Sequence, residues 1–422
     1  MDKYNFETLA LHAGHEAEPG GPLTPPITQT VAYKFKSTQH AASLFGLEEA
    51  GPIYSRMTNP TVQILEDRIA ALEGGMGSVA VSSGLAANLL ALFPLMAPGL
   101  EFIASNRLYG GTIAQFRDTF KAFGWNCHFV DIDDFEGIQK LLNAKTRAIF
   151  CESQANPTTH IADLETLAEM AHKHGVPLIV DNTIPSPFLM RPFEWGADII
   201  VHSTTKFLNG HGTAMGGVLV DSGQFDWSKY PHFMSLHEAP PGYHGIKFSD
   251  KFKEKAYISY ARAVGLRDLG FCQSAFNAHE TLIGIDTLGL RMERHVQNGL
   301  AVVEFLKNHP KVKEVYYAGL PESPYFECAQ KYMPDGVSPV FCFELKGGYE
   351  ACVKLVEGTK IFSHAASIGE VASLIIHPAS TTHKQLNEDQ LVKAGISSAT
   401  VRLSVGIEDA VDLIEDLKAG LE

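Results

Sequence analysis

From residue 78 to residue 221 the chain alternates short apolar runs with helical patterns, an order that few folds can accommodate. The runs read "SVAVSSG", "EFIASN", "AIFCES", "VPLIVDN", "DIIVHS" and "GGVLVD". A run that is apolar at nearly every position suits a strand covered on both faces, and the intervening helices supply that cover. The expectation is an α/β fold built on a large, mostly parallel sheet. Ahead of the first run, "NPTVQILEDRIAALEGG" gives the clearest helix: Asn59 as N-cap, Pro60 at the first helical position, Val62, Leu65, Ile69 and Leu72 on one stripe, and Gly74 as the stop. "DLETLAEMAHKHG" repeats the pattern, with Asp163 capping its start and Gly175 its end.

The flanking segments read differently. Residues 1–60, with the proline-rich "GGPLTPPITQT", are expected to form an irregular arm of the kind that lies on a neighbouring subunit. Residues 61–265 hold the alternating pattern and end in an insertion over 224–262, rich in aromatics, Pro and His and expected near a mouth or an interface. Residues 266–422 open with a helix expected over 277–308 and continue through "EVYYAG", "VFCFELKGG", "SLIIHP" and "TVRLSVGIED", a smaller C-terminal α+β domain.

Charge and cysteine usage narrow the function classes. Lys plus Arg number 34 against 48 Asp plus Glu, a net charge of −14 without any basic run, which argues against a nucleic-acid partner. The opening "MDKYNFETLALHAGHEAEPGG" has acidic residues where a signal peptide needs a basic and then an apolar stretch, so the expected location is cytoplasmic. The uncharged run from Gly77 to Leu100 contains Ser, Asn, Pro and Gly, and reads as strand, turn and helix instead of a membrane span. Cys127, Cys151, Cys272, Cys328, Cys342 and Cys352 form no Cys-x-x-Cys pair; they read as buried thiols, and no metal site is expected.

Open α/β sheets bind ligands outside the carboxyl ends of their strands. Three runs end there in polar residues: Ser82-Ser83-Gly84, Asp181-Asn182, and Ser203 through Lys206. Each has a bland reading by itself. The first is a common tight turn before a helix, the second a structural cap, and the lysine a snorkelling surface residue. Together they are the parts of a pyridoxal phosphate site: a phosphate anchor at a helix start, an acid for the pyridine nitrogen, and a partly buried amine whose lowered pKa makes it nucleophilic. Two rivals fail. "GGMGSVA" follows a helix and precedes a strand, the reverse of a dinucleotide fingerprint, and no Gly-Lys pair exists for a Walker loop.

Five motifs in chain order, "YSRMTNPT", "VSSGLAAN", "VDNT", "STTKFLNGHGTAMGG" and "VRLSVGIED", resemble the Cys/Met-metabolism family of pyridoxal 5'-phosphate enzymes over nearly the whole chain. The resemblance implies the aspartate-aminotransferase-like fold of pyridoxal-phosphate-dependent transferases. It implies a catalytic set in which Lys206 forms the Schiff base, Asp181 keeps the pyridine nitrogen protonated, and Tyr109 of "NRLYGGT" stacks on the ring. Ser83, Gly84 and Leu85 at the helix start, with Ser203 and Thr205, match the phosphate cradle; Leu85 stands where Gln or Met is more usual. Tyr54 and Arg56 match residues that reach the phosphate and substrate from a neighbouring subunit. Asn156 of "QANPT" matches an asparagine near the cofactor's phenolic oxygen and the substrate, and Arg402, assisted by Ser367 of "SIGE", matches the grip on the substrate carboxylate.

Within the family, the 224–262 insertion, "LRDLG" and "IIHPASTTHKQL" are similar to the O-acetylhomoserine sulfhydrylases, while Gly111 stands where methionine γ-lyases carry a cysteine. That branch implies a γ-replacement in methionine biosynthesis, in which a small amino-acid ester, O-acetylhomoserine, and a sulfur donor such as sulfide give homocysteine and acetate. Methionine γ-lyase and cystathionine γ-synthase are the alternatives. It also implies a homotetramer with active sites shared across a dimer interface.

Overall fold

The alternating segment folds around one large sheet, in a computed structural model that describes residues 4–243, 245–381 and 396–422. Its strands are β1 (Gly77–Val81), β2 (Glu101–Ser105), β3 (Asn126–Val130), β4 (Thr146–Glu152), β5 (Leu178–Asp181), β6 (Ile199–His202) and β7 (Gly217–Asp221). They lie in the order β1-β7-β6-β5-β4-β2-β3. Only β7 runs antiparallel to its neighbours, and every other pairing is parallel. β1 therefore points the same way as β6, and the carboxyl ends of β1 to β6 share one edge. β4 and β6 are buried at every position, as a sheet covered on both faces requires. Each fully buried Val, Leu or Ile on them contributes about 1.5–3 kcal/mol.

The helix at Pro60–Glu73 begins and ends as its sequence dictates. The Asn59 side chain accepts from the Thr61 and Val62 amides at 3.0 and 3.4 Å, and Gly74 stops the helix at φ 76°. Leu65, Ile69 and Leu72 join the core beneath it. The same cap holds the proline-rich segment, because Asn59 Nδ2 donates to the Thr28 carbonyl at 2.8 Å and the Thr61 hydroxyl to that of Pro26 at 2.7 Å.

A second sheet of β8 (Val312–Tyr316), β9 (Val340–Leu345), β10 (Ser363–His364), β11 (Leu374–Ile376) and β12 (Thr400–Ser404) is ordered β10-β11-β12-β9-β8. β12 lies at its centre, so Arg402 is held by ladders on both sides.

Four features differ from or add to what the sequence leads one to expect. The arm is not wholly irregular, since Phe6–His12 and Thr38–Phe45 are helical, the second capped by the Ser37 side chain. β3 escaped the sequence reading because its residues are exposed or half-buried at the sheet edge, so no continuous apolar run marks it. The helix expected over 277–308 is two helices, Ala275–Asp286 and Leu288–Lys307, separated at Thr287. The 224–262 insertion, expected near a mouth or an interface, packs onto the sheet among the described residues. Its aromatics build a core of their own against the sheet, with Trp227 stacked on Tyr257 at 4.9 Å and the Tyr257 hydroxyl donating to the Ala91 carbonyl at 2.6 Å. His244 of that insertion, and residues 382–386 of "IIHPASTTHKQL", lie outside the described residues.

Among the described residues no helix is long and apolar enough to cross a membrane, and all six cysteines are free thiols. Cys127, Cys272 and Cys328 are only partly buried, unlike the other three. Because Trp227 is 1% exposed, Trp227→Ala should destabilise the protein by about 3–5 kcal/mol. A clear drop in the urea midpoint, followed by circular dichroism, is the expected result.

Candidate active site

The shared edge of carboxyl ends opens into a cavity of about 240 Å³, and the second sheet closes it from above. Three strand ends furnish its floor. β1 leads through Ser82 into the helix Gly84–Leu92, whose N-cap is Ser83; the Ser83 hydroxyl accepts from the Ala86 amide at 3.2 Å. The Gly84 and Leu85 amides remain at the helix start, where backbone donors and the helix dipole suit an anion. This turn is tightly fitted. A Cβ on Gly84 would lie 2.8 Å from Ser203 Cβ, and one on Gly217 would lie 2.1 Å from the Ser83 carbonyl oxygen.

β5 ends in Asp181, whose Oδ1 accepts both the Thr183 amide at 3.0 Å and the Thr183 hydroxyl at 2.5 Å. Oδ2 is left to the cavity. Asp181 has no cation within ion-pairing distance among the described residues. Burial raises its carboxyl above the usual range, while Thr183 and then His202 pull it back. Behind it, Glu73 Oε1 accepts from Asn182 Nδ2 at 2.9 Å and pairs with His202 Nε2 at 2.6 Å, with both Glu73 and His202 fully buried.

β6 ends where hydroxyls take over from the ladder. The Ser203 amide donates to Thr183 Oγ1 at 2.8 Å, which ties the end of β6 to the end of β5. The Ser203 hydroxyl has no partner among the described residues, whereas the Thr205 hydroxyl already bonds Gly216, accepting from its amide at 3.1 Å. Lys206 follows on a tight turn, its carbonyl accepting from the Gly210 amide at 2.7 Å with Gly210 at φ 71°. Lys206 Nζ donates to Ser367 Oγ at 3.1 Å. Burial, and then the Arg402 charge, lower the Lys206 amine from its ordinary value, although Glu370 opposes the shift. A lowered pKa favours the unprotonated amine, the form that acts as a nucleophile.

Arg402 reaches in from β12 and donates to the Ser367 carbonyl at 2.9 Å and to Asn156 Oδ1 at 3.5 Å. It is 6% exposed without a carboxylate partner among the described residues, and burial pushes its guanidinium down to about 10. A buried cation lacking its anion is an evident seat for a ligand carboxylate.

Pyridoxal phosphate fits these residues. A helix start and a serine hydroxyl unpartnered among the described residues would meet its phosphate, a carboxylate with a free oxygen its pyridine nitrogen, and an amine of lowered pKa its aldehyde carbon. The cavity gathers Ser83, Gly84, Leu85, Tyr109, Asn156 and Asp181 with Ser203, Thr205, Lys206, Ser367 and Arg402. It does not gather Tyr54 or Arg56. Arg56 instead donates to the Arg267 carbonyl and lies 5.4 Å from the Tyr54 ring centre. Glu152, Thr183 and Gln154 also line the cavity and escaped the sequence reading. Glu152 carried the same signal as Asp181, an acid ending an apolar strand, and Thr183 the signal of a hydroxyl two residues beyond such an acid.

The chain belongs to the Cys/Met metabolism PLP-dependent enzymes, whose family profile matches residues 7–422. It is 46% identical to the O-acetyl-L-homoserine sulfhydrylase of Leptospira meyeri, over 99% of this chain and 96% of that one. It is also 46% identical to O-acetyl-L-homoserine sulfhydrylase 1 of Thermus thermophilus, over 99% of both. Among solved structures, a protein from Campylobacter jejuni described as a "putative O-acetylhomoserine (thiol)-lyase" superposes with a TM-score of 0.96 at 40% identity, covering 99% of this chain and all of that one. That crystal structure contains N'-pyridoxyl-lysine-5'-monophosphate. The protein is thus an enzyme of the pyridoxal-phosphate-dependent transferase fold, with pyridoxal 5'-phosphate as its cofactor.

The collision at residue 217 involves backbone atoms that have nowhere to move, so Gly217→Ala should impose about 1–3 kcal/mol of strain on the Ser83–Gly84 turn. Cofactor affinity, titrated by absorbance, is expected to fall at least about fivefold while far-ultraviolet circular dichroism is unchanged.

Proposed function

We propose that this enzyme replaces the γ-acetoxy group of O-acetyl-L-homoserine by sulfur, giving homocysteine and acetate in methionine biosynthesis. The observation that carries the reading is the juxtaposition of Lys206, 3.1 Å from Ser367 Oγ, with the unpaired Arg402 and Asp181 in one cavity. Pyridoxal phosphate, when bound, supplies an electron sink for the pairs left as Cα–H and Cβ–H bonds break. Asp181 holds the ring nitrogen in its charged form. Arg402 takes the substrate carboxylate as a bidentate fork, and the Ser367 carbonyl fixes the plane of that guanidinium. Freed from the cofactor by the substrate amine, Lys206 removes the Cα proton and then moves a proton from Cβ. The Cγ–O bond breaks with its electron pair leaving on acetate, a Cγ–S bond forms from hydrosulfide, and Lys206 returns the protons.

Sulfide as the nucleophile is supported by the lining. Lys206 and Arg402 are the only cationic side chains on the cavity wall among the described residues, so that wall offers one seat for a carboxylate, which suits a sulfur nucleophile that carries none. Gly111 supports a synthase over a methionine γ-lyase. A Cβ there would lie 2.5 Å from the Tyr109 ring, so a cysteine at 111 requires the ring to move. We place the part of residues 1–60 that carries Tyr54 and Arg56 against a neighbouring subunit, completing that neighbour's phosphate site in a cytoplasmic homotetramer.

The test is homocysteine formation by the cofactor-loaded enzyme from O-acetylhomoserine and sulfide, run beside O-succinylhomoserine and beside methionine without sulfide. Homocysteine from the acetyl ester is the expected product; α-ketobutyrate from methionine as the main activity would overturn the reading. Lys206→Ala should abolish turnover and the absorbance of the covalently held cofactor. Arg402→Ala is expected to lower kcat/KM at least ~10²-fold with cofactor still bound, since a charge-assisted bidentate contact is lost.

A further inference from the structure

Glu152 ends β4, and the strand register pairs it directly with Asp181 at the end of β5. Parallel neighbours stand about 4.8 Å apart, so two carboxyl groups face one cavity from adjacent strands at the same height. Glu152 is 7% exposed and, like Asp181, has no cation within ion-pairing distance among the described residues. Its Oε1 accepts the Tyr109 backbone amide at 2.6 Å, and the Asn156 amide also lies against this carboxyl. The two loops that bring Tyr109 and Asn156 to the cavity thus meet on one side chain. Two ionised carboxylates in such a place repel each other, and a ring nitrogen can use only one of them.

We propose that Glu152 is a positioning residue that works in its neutral form, pinning the Tyr109 and Asn156 loops over the cofactor while leaving Asp181 as the single negative charge beneath the ring. The reading rests on Asp181 serving the ring nitrogen. Burial and the Asp181 charge, in that order, drive the Glu152 carboxyl well above the ordinary carboxylate range, which agrees with the geometry. Asp181, by contrast, has two donors from Thr183 to favour its ionised form. One proton therefore settles on Glu152. Its carbonyl oxygen has two lone pairs, enough to accept both backbone amides without a charge.

The experiment compares Glu152→Gln, Glu152→Ala and Asp181→Asn in cofactor-loaded protein. The amide of Glu152→Gln keeps the shape and the acceptor oxygen of a neutral carboxyl, so cofactor Kd, kcat and KM should stay within about threefold of the parent. Glu152→Ala leaves both loop amides without their acceptor, and cofactor Kd and substrate KM should rise about tenfold or more. A Glu152→Gln protein that loses cofactor affinity as badly as Glu152→Ala would show that the charge matters and overturn the proposal. An unimpaired Glu152→Ala protein would do the same by removing the pinning role. If Glu152→Ala fails to fold, the Glu152→Gln comparison still decides the matter, because it reads cofactor release directly. Asp181→Asn separates the two levels of the reading. It should weaken cofactor binding and turnover together, and an unimpaired Asp181→Asn protein would remove the Asp181 assignment itself, whatever Glu152 does.

Discussion

The active site depends on strand register. Because β4, β5 and β6 run parallel and in step, Glu152 pairs with Asp181 and Asp181 with Val201, and every group that follows inherits that common height. Thr183 then locks two of the ends together. Its hydroxyl donates to Asp181 and accepts from the Ser203 amide, so the acid proposed for the ring nitrogen and the serine proposed for the phosphate are tied to a single side chain. A slip of one residue in either strand would send these groups to the opposite face of the sheet. The fully buried pairings of β4 and β6 forbid that slip, since it would also turn core side chains out of place.

The same edge collects charge that a protein interior resists. Asp181, Lys206 and Arg402 each lack an opposite partner within ion-pairing distance among the described residues, a costly arrangement unless a ligand completes it. The surroundings lower that cost by supplying fixed dipoles and hydrogen bonds. Glu73 and His202 are joined by a buried hydrogen bond behind Asp181, and Asn182 joins them from the adjoining position, so the end of β5 is held from beneath by the helix at Pro60–Glu73. This arrangement explains why that helix must begin and end where it does. Its cap residue Asn59 fixes one end, Gly74 frees the other, and Glu73 is thereby delivered under the site.

Much of this was legible in the chain. Asp181 and Lys206 stand out because a charged residue directly after or near an apolar strand has few reasons to be there. The phosphate turn is marked by small residues between a strand and a helix. Glu152 ends its strand in the same manner but does not stand out, because one acid satisfies the motif and the second has no partner in sequence. β3 was invisible for a different reason. An edge strand needs burial on fewer faces, and its polar residues leave no run to detect. The break at Thr287 has no proline to announce it; tertiary packing ends one helix and starts the next. Tyr54 and Arg56 are further from reach still, as a resemblance assigns them to a cavity that this chain builds without them.

The contacts that close the cavity are also separated along the chain: Lys206 meets a residue 161 positions later, and Asn156 one 246 positions later. The floor between β1 and β7 is one continuous stretch, Gly77 to Asp221, and it leaves the ribosome before any of the roof has been made. The groups proposed to hold the cofactor are therefore translated well ahead of Arg402, the residue proposed to receive the substrate. In a growing polypeptide, the side chains that face a vitamin-derived coenzyme are laid down before the one that faces an amino acid.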